Sequence, residues 1–305
     1  MRERVLAAAR SAQPMDTALS ALVSIVFHGT AYAMVLYLIS VGLSVTMGLM
    51  GFINLAHGVF AMAGGYVAVG LMNRAGVPFF LAIAIAFLVV AVASMALERT
   101  LYARLYGAAE LDQVLFTIGL VFMAGAAARF LAGSLPLPVH LPEYLRGQID
   151  IGGRLFPTYR SFLIVGGAVV VTALWLGLER TRFGAQIRAT VDNRRMAQSL
   201  GINTALLFTC AFAIGSGLAA LGGALGADIL AIDPTYAQEH LVFFLIVVSV
   251  GGLGSIRGPF VAALLLGIAD TACKYLIPEF GAFFIYAATL ALLLWRPHGL
   301  FGHAA

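Results

Sequence analysis

Residues 181–203, TRFGAQIRATVDNRRMAQSLGIN, form the longest polar run in an otherwise apolar chain. The run sets Arg182, Arg188, Arg194 and Arg195 against Asp192. Apolar runs at 161–178 and 205–227, long enough to cross a bilayer, flank it. The spacing predicts a polar helix that begins after Gly184, carries Ile187, Val191 and Met196 among its arginines, and ends at Gly201 as a helix C′ glycine. A polar helix held at a membrane surface by a span on either side is well placed to be gripped by a soluble partner. The simpler alternative is an amphipathic helix lying on the lipid, but the arginines do not gather on one side and Phe183 is the only aromatic beside them.

Composition leaves one class of fold around this run. Of the 305 residues, 61% are hydrophobic and 10% charged, and the mean hydropathy is +0.97. Soluble domains carry about 25% charged residues, so the solvent is a bilayer. Backbone amides in hydrocarbon must pair internally, which permits helices or a closed barrel. Barrels alternate over runs of about ten residues, whereas these apolar runs are continuous and helix-length. The expectation is an all-α polytopic membrane protein. The net charge of +4 and the pI of 9.3 read as arginines that orient the protein in the membrane, not as a nucleic-acid surface. Cys210 and Cys273 lie in apolar runs without metal or redox spacing.

The apolar runs are 22–40, 41–50, 59–72, 79–97, 114–131, 161–178, 205–227, 241–250, 259–276 and 282–295. Two of them, 41–50 and 241–250, are too short to span about 30 Å alone. Placing the Arg-rich segment 1–20, residues 98–104, the 180–204 loop and the C-terminus in the cytoplasm follows the positive-inside rule. That choice forces 41–50 to count as a crossing and gives ten crossings with both termini cytoplasmic. Loop 132–160 is then external, although Arg146, Arg154 and Arg160 sit in it. Residues 21–303 read as one transmembrane domain.

An internal repeat is suggested at an offset of 200: Gly51, Gly58, Phe60 and Ala63 match Gly251, Gly258, Phe260 and Ala263. Each motif follows a short apolar run, as in the parallel repeats of transporters, with four spans per half. The first motif puts Asn54 and His57 beside Gly51 and Gly58 at membrane depth. Interrupted helices of this kind line transport pathways; equally, the two side chains can satisfy the broken helix's own carbonyls. No second His or carboxylate stands at helical spacing from His57 to make a metal site. The second motif, with Gly251, Gly252 and Ser255, lacks the strand and the Lys-Ser/Thr of a phosphate loop. Glycine pairs at 64–65, 166–167 and 222–223, with Gly215 and Gly217, read as helix-packing positions. Asp228, Asp233, Glu239 and His240 read as a solvated external loop, and Asp270 with Lys274 as an i,i+4 ion pair. No catalytic set can be assembled, so no enzyme is expected.

Gly184, Arg188, Ala189, Asn193, Ala197, Gly201, Ile202 and Asn203 fall in the pattern G-x-x-x-R-A-x-x-x-N-x-x-x-A-x-x-x-G-I-N. This resembles the cytoplasmic coupling loop of branched-chain amino acid ABC transporter permeases of the LivH type. Asn54-Leu-Ala-His57-Gly58 with Gly64-Gly65-Tyr66, Thr117-Ile-Gly119-Leu, the Gly251 to Pro259 motif and the ending Arg296 to Gly302 also resemble that family. The resemblance implies an importer's membrane subunit in a bacterial inner membrane, paired with a second homologous permease, two cytoplasmic ATPase subunits and a periplasmic binding protein. It implies that ATP and Mg are bound by the partner subunits and no cofactor by this chain. Arg257 stands where many relatives have an uncharged residue. Relatives that carry urea or short amides share nearly the same motifs, so the cargo stays open. A self-sufficient channel or secondary carrier is the rival class, though apart from Asp270 the spans offer almost no carboxylate for ion coupling.

Overall fold

The fold is described from a computed structural model. It describes residues 2–301 except Ile53, Ile151, Leu253, Ile256, Pro297 and His298, with side chains from Leu19 onward save that of Ala282. The side chains of Arg2, Arg4 and Arg10 in the predicted cytoplasmic head, and Pro297, His298 and Gly302 of the C-terminal motif, lie outside the described residues.

The helices are α1 (Arg2–Met50), α2 (His57–Ala75), α3 (Phe79–Thr100), α4 (Glu110–Ala132), α5 (Thr158–Arg180), α6 (Arg182–Asp192), α7 (Arg194–Ser199), α8 (Thr204–Gly226), α9 (Tyr236–Gly251), α10 (Arg257–Leu276) and α11 (Gly281–Trp295). Six, namely α1 from Leu19 onward, α3, α4, α5, α8 and α10, are long and apolar enough to cross a membrane; α9 and most of α11 are shorter apolar helices. A small hairpin, β1 (Gln148–Asp150) with β2 (Leu155–Pro157), is the only strand pair among the described residues.

α8 is the axis. It is apolar all round and buried along most of its length, against α1, α2 and α3. Lipid tails are as apolar as leucine, so helices here associate by close packing, which small residues permit. Gly215 meets the backbone of Gly42, Gly223 meets Ala61, and Gly64 of α2 meets the backbone of Ala220; a Cβ on Gly42, Gly64 or Gly223 would overlap backbone atoms. Gly167 packs on Met34, but a Cβ on Gly166 would meet open space, so that half of the predicted 166–167 pair does not serve packing.

Contacts between chain-distant residues define two poles. At one, the Arg154 guanidinium donates to the Leu19 carbonyl (3.3 Å), Phe27 packs on Phe156 of β2 (ring centroids 4.3 Å) and Asn73 donates to Pro138 (2.8 Å). At the other, Tyr106 reaches Met50, Leu49 clusters with Ile187 of α6, and the Leu300 amide donates to Val250 (2.7 Å). The first is the loop pole and the second the coupling pole.

This geometry corrects the topology. Runs 22–40 and 41–50 are one unbroken helix: Gly42 at the junction does not open a turn but lies within α1, packed on the backbone of Gly215. Six helices among the described residues are therefore long and apolar enough to cross, with two shorter apolar helices beside them, where ten crossings were expected. Leu19, where the apolar part of α1 begins, shares the loop pole with 132–160, and Leu300 shares the coupling pole with the end of α9.

The proposed repeat also loses its four-plus-four spans, and its matched glycines do different work. Gly51 is exposed in the left-handed region (φ +60°), whereas Gly251 is helical and packed against Pro259. Of the residues expected in a solvated loop, Asp228 and Glu239 are exposed, but Glu239 and His240 belong to α9 and the 226–236 connection is partly folded in. Ile232 is fully buried against Gly65 in the middle of α2, and Asp233, half-buried, accepts from the Thr235 amide and hydroxyl (2.8 and 2.7 Å).

In a Cys210→Ala/Cys273→Ala background, Leu19→Cys and Arg146→Cys should react with an impermeant maleimide from the same side of oriented membrane vesicles, and Ser199→Cys from the other. Labelling of Leu19→Cys together with Ser199→Cys would overturn the placing of the two poles on opposite sides.

Candidate functional site

At the coupling pole the predicted polar helix is two helices. Thr181 caps α6, its hydroxyl accepting from the Gly184 amide (3.3 Å), so α6 begins before Gly184. Gly184 is buried so tightly on the end of α5 that a Cβ would overlap the Leu178 carbonyl. Asn193 then breaks the run. Its backbone is extended (φ −154°, ψ 99°) and its side chain accepts from the Met196 amide (3.0 Å), capping α7. An Asn favours such a cap over helical continuation because its short amide competes for backbone amides. Gly201, at φ +84°, ends α7, and Asn203 caps α8 by accepting from the Leu206 amide (3.0 Å). Arg188 donates to the Leu178 carbonyl, which ties α6 back to α5. Ala197 is the buried residue of α7, and Ala189 of α6 is partly covered.

Outward from this scaffold face Val191, Met196 and Leu200, the last two 59% and 74% exposed, among Arg182, Arg194 and Arg195. The arm thus presents apolar side chains and arginines on a rigid, doubly capped base. Arg194 also lies over the Phe208 ring (4.7 Å).

The first break lies deeper. From Gly51 at the pole the chain climbs back along α1 to His57, whose Nε2 meets the Ile39 carbonyl (2.9 Å). Eleven residues of helix separate Ile39 from Met50, a rise of about 16 Å. A carbonyl only accepts, so Nε2 carries the proton and Nδ1 faces its surroundings as an acceptor. Asn54 Oδ1 accepts from the Tyr102 hydroxyl and from the Ala56 amide (both 3.1 Å). Both side chains are buried, and neither Asn54 Nδ2 nor His57 Nδ1 has a hydrogen-bond partner within the described chain. Gly58 packs on Ala237, so α2 and α9 both start inside the bundle and start together.

The second break sits nearer the pole. Gly252 and Gly254 take positive φ, the Gly254 amide donates to Ser44 (3.2 Å), the Ser44 hydroxyl donates to the Ser255 carbonyl (2.8 Å), and Ser255 Oγ accepts from the Gly258 amide (2.9 Å). Gly51 and Gly252 thus belong to neighbouring turns at one pole, whereas Asn54, His57 and Gly58 belong to the interior. The polar groups of the two breaks are not brought into one site.

Two ionisable features complete the picture. Asp270 and Lys274 form the expected i,i+4 pair (2.7 Å), with Asp270 only 1% exposed. Glu98, read from the sequence as the start of a polar loop, is instead buried and accepts from Tyr106 and from Thr209 (2.7 Å). Burial, reinforced by the Glu98 carboxylate, raises the Tyr106 phenol above its ordinary range, so it stays a donor. With Arg99, Arg194 and Asn203 these groups border a cleft of about 520 Å³ that joins the end of α3 to the start of α8. No local sequence signal announces this clamp, because its members lie up to 111 residues apart.

An apolar helix bundle with interrupted helices inside and a capped polar arm at one pole is the architecture of a multi-pass membrane transport protein. The chain belongs to the family described as the branched-chain amino acid transport system / permease component, whose model matches residues 25–293. It is 28% identical over 287 residues to the high-affinity branched-chain amino acid transport system permease protein BraD of Pseudomonas aeruginosa, covering 90% of this chain and 92% of the relative. To the corresponding protein LivH of Escherichia coli it is 27% identical over 292 residues, covering 90% and 94%. A probable branched-chain amino acid transport permease protein LivH of Methanocaldococcus jannaschii is 25% identical over 287 residues, covering 89% and 90%. A shorter match, 30% over 145 residues and 44% of this chain, is to the autoinducer 2 import system permease protein LsrC of Salmonella paratyphi B. No solved structure matches the chain. The relatives are transport permeases, not enzymes.

Removing one donor from a buried carboxylate costs about 1–3 kcal/mol. Tyr106→Phe and Thr209→Val should each lower the thermal midpoint of the detergent-purified protein, and Glu98→Gln should recover part of the loss in the double variant. Unchanged midpoints in both single variants would show that Glu98 is not held by this clamp.

Proposed function

We propose that this chain is the membrane-embedded permease subunit of an ATP-driven importer, with the coupling pole facing the cytoplasm and residues 21–303 acting as one permease domain. The observation that carries the proposal is the α6–α7 arm. Val191, Met196 and Leu200 are apolar and exposed beyond the spans, and interfaces favour Met and Arg while water does not favour the apolar three. A cytoplasmic ATPase subunit gripping this face would move α6, and α6 is anchored to α5 through Gly184 and Arg188. Closure of the ATPases, which bind ATP and Mg, would thereby rock the spans as rigid bodies. A second homologous permease completes the pathway, and a periplasmic binding protein delivers cargo at the loop pole.

The cargo class is branched-chain or related amino acids, supported by what the full-length relatives transport. Asn54 Nδ2 and His57 Nδ1 supply a donor and an acceptor for a polar solute, or for water moving with it, where α2 and α9 start together. The partial match to an autoinducer 2 permease keeps a non-amino-acid cargo as the second reading. A carrier driven by ion coupling has less support, since Asp270 is already neutralised by Lys274.

Met196→Glu combined with Val191→Glu, both at exposed positions, should leave the permease folded yet reduce ATPase co-purification and stimulated hydrolysis by at least about tenfold. Retention of both would remove the arm from the coupling path. Competition of labelled leucine uptake by leucine, isoleucine and valine but not by urea should identify the cargo class, and the converse pattern would reassign it.

A further inference from the structure

Between α5 and the tightly packed α1–α8 pair lies a cleft of about 220 Å³ that the coupling account does not use. Its floor is the Gly42–Gly215 contact, its outer wall is Ala173 and Gly177 of α5, and Phe183 and Ile187 of α6 close its end at the coupling pole. The lining is almost wholly apolar. A Cβ on Gly177 would meet nothing within 4 Å, so α5 stands off from the core here. An apolar gap of this kind does not recruit water, and in a bilayer the matter at hand to fill it is hydrocarbon chain.

The depth and charge of the mouth specify the rest of the ligand. Tryptophans concentrate at headgroup level, and Trp175 lies beside this stretch of α5, under the Arg257 guanidinium (5.9 Å to the ring). Just beyond it Arg180 and Arg182 are exposed, and neither enters an ion pair among the described residues. Two uncompensated guanidiniums at headgroup depth attract phosphate, and anionic lipids more than zwitterionic ones.

We propose that the cleft holds one acyl chain of an anionic phospholipid from the leaflet at the coupling pole, with its phosphate on Arg180 and Arg182. The tail touches Phe183 and Ile187, the buried side of α6, so the bound lipid wedges the coupling arm from beneath and makes its position sensitive to membrane composition.

The test is native mass spectrometry of the full-length protein, purified from its host membrane, delipidated and titrated with phosphatidylglycerol or phosphatidylcholine. Phosphatidylglycerol should bind about tenfold or more tightly than phosphatidylcholine. Gly177→Leu, at a position where an added Cβ meets nothing within 4 Å, should narrow the cleft and abolish that preference while the thermal midpoint is kept. Arg180→Gln/Arg182→Gln should reduce phosphatidylglycerol to the phosphatidylcholine level, and this pair decides the matter should Gly177→Leu fail to fold. Equal binding of the two lipids, or full retention of phosphatidylglycerol by the variants, would overturn the proposal. So would a Gly177→Leu variant that separates permease subunits without altering lipid binding, which would make the cleft a protein interface.

Discussion

The structure depends on how closely α8 can approach its neighbours. In hydrocarbon there is no hydrophobic gain from bringing two apolar helices together, so association rests on packing and on the few hydrogen bonds that close approach allows. Gly42 against Gly215, Ala61 against Gly223 and Gly64 against Ala220 bring backbones into direct contact on opposite flanks of one helix. Once α1 and α2 are seated there, the links between them are constrained. The chain from Met50 must climb back to His57, and that climb puts Asn54 and His57 inside the bundle.

The same constraint separates the two kinds of polar structure. Inside, polar groups are met from across the bundle, the Ile39 carbonyl by His57 and the Tyr102 hydroxyl by Asn54, while Asn54 Nδ2 and His57 Nδ1 are left over. At the coupling pole, water satisfies side chains, and the backbone is shaped by caps at Thr181, Asn193 and Asn203 and by the left-handed Gly201. The interior is set by packing and the arm by local capping chemistry, so the arm keeps its own shape on the end of the rigid α5. Such a joint is suited to passing a rigid-body push from the arm to the spans.

Much of this was legible in the sequence where signals are local. Continuous apolar runs announced helices in a membrane, the 180–204 interruption announced the arm, and Asp270 with Lys274 announced their pair. What escaped was long-range or hidden by length. The 41–50 run looks too short to span, yet it is the buried end of the same helix as 22–40, so counting it as a separate crossing was the error. Asn193 looked like one more polar residue in a helix, although its side chain ends one helix and starts the next. Glu98 at a charged run's start gave no hint of burial, because its partners Tyr106 and Thr209 come from a turn and from α8. Ile232, an apolar residue among Asp and Pro, was the one available sign that the 226–236 connection folds inward.

The central claim is that movement of cargo through this chain is driven from the coupling pole by ATP hydrolysed on a partner. The most direct measurement is uptake of labelled leucine into proteoliposomes holding the permease pair, the ATPase subunits and the binding protein, with and without internal ATP. Uptake should require both ATP and the binding protein, and fall to background when the ATPase subunits are omitted. Equal uptake by the permease alone, without ATP, would contradict the account and make the protein a channel or carrier.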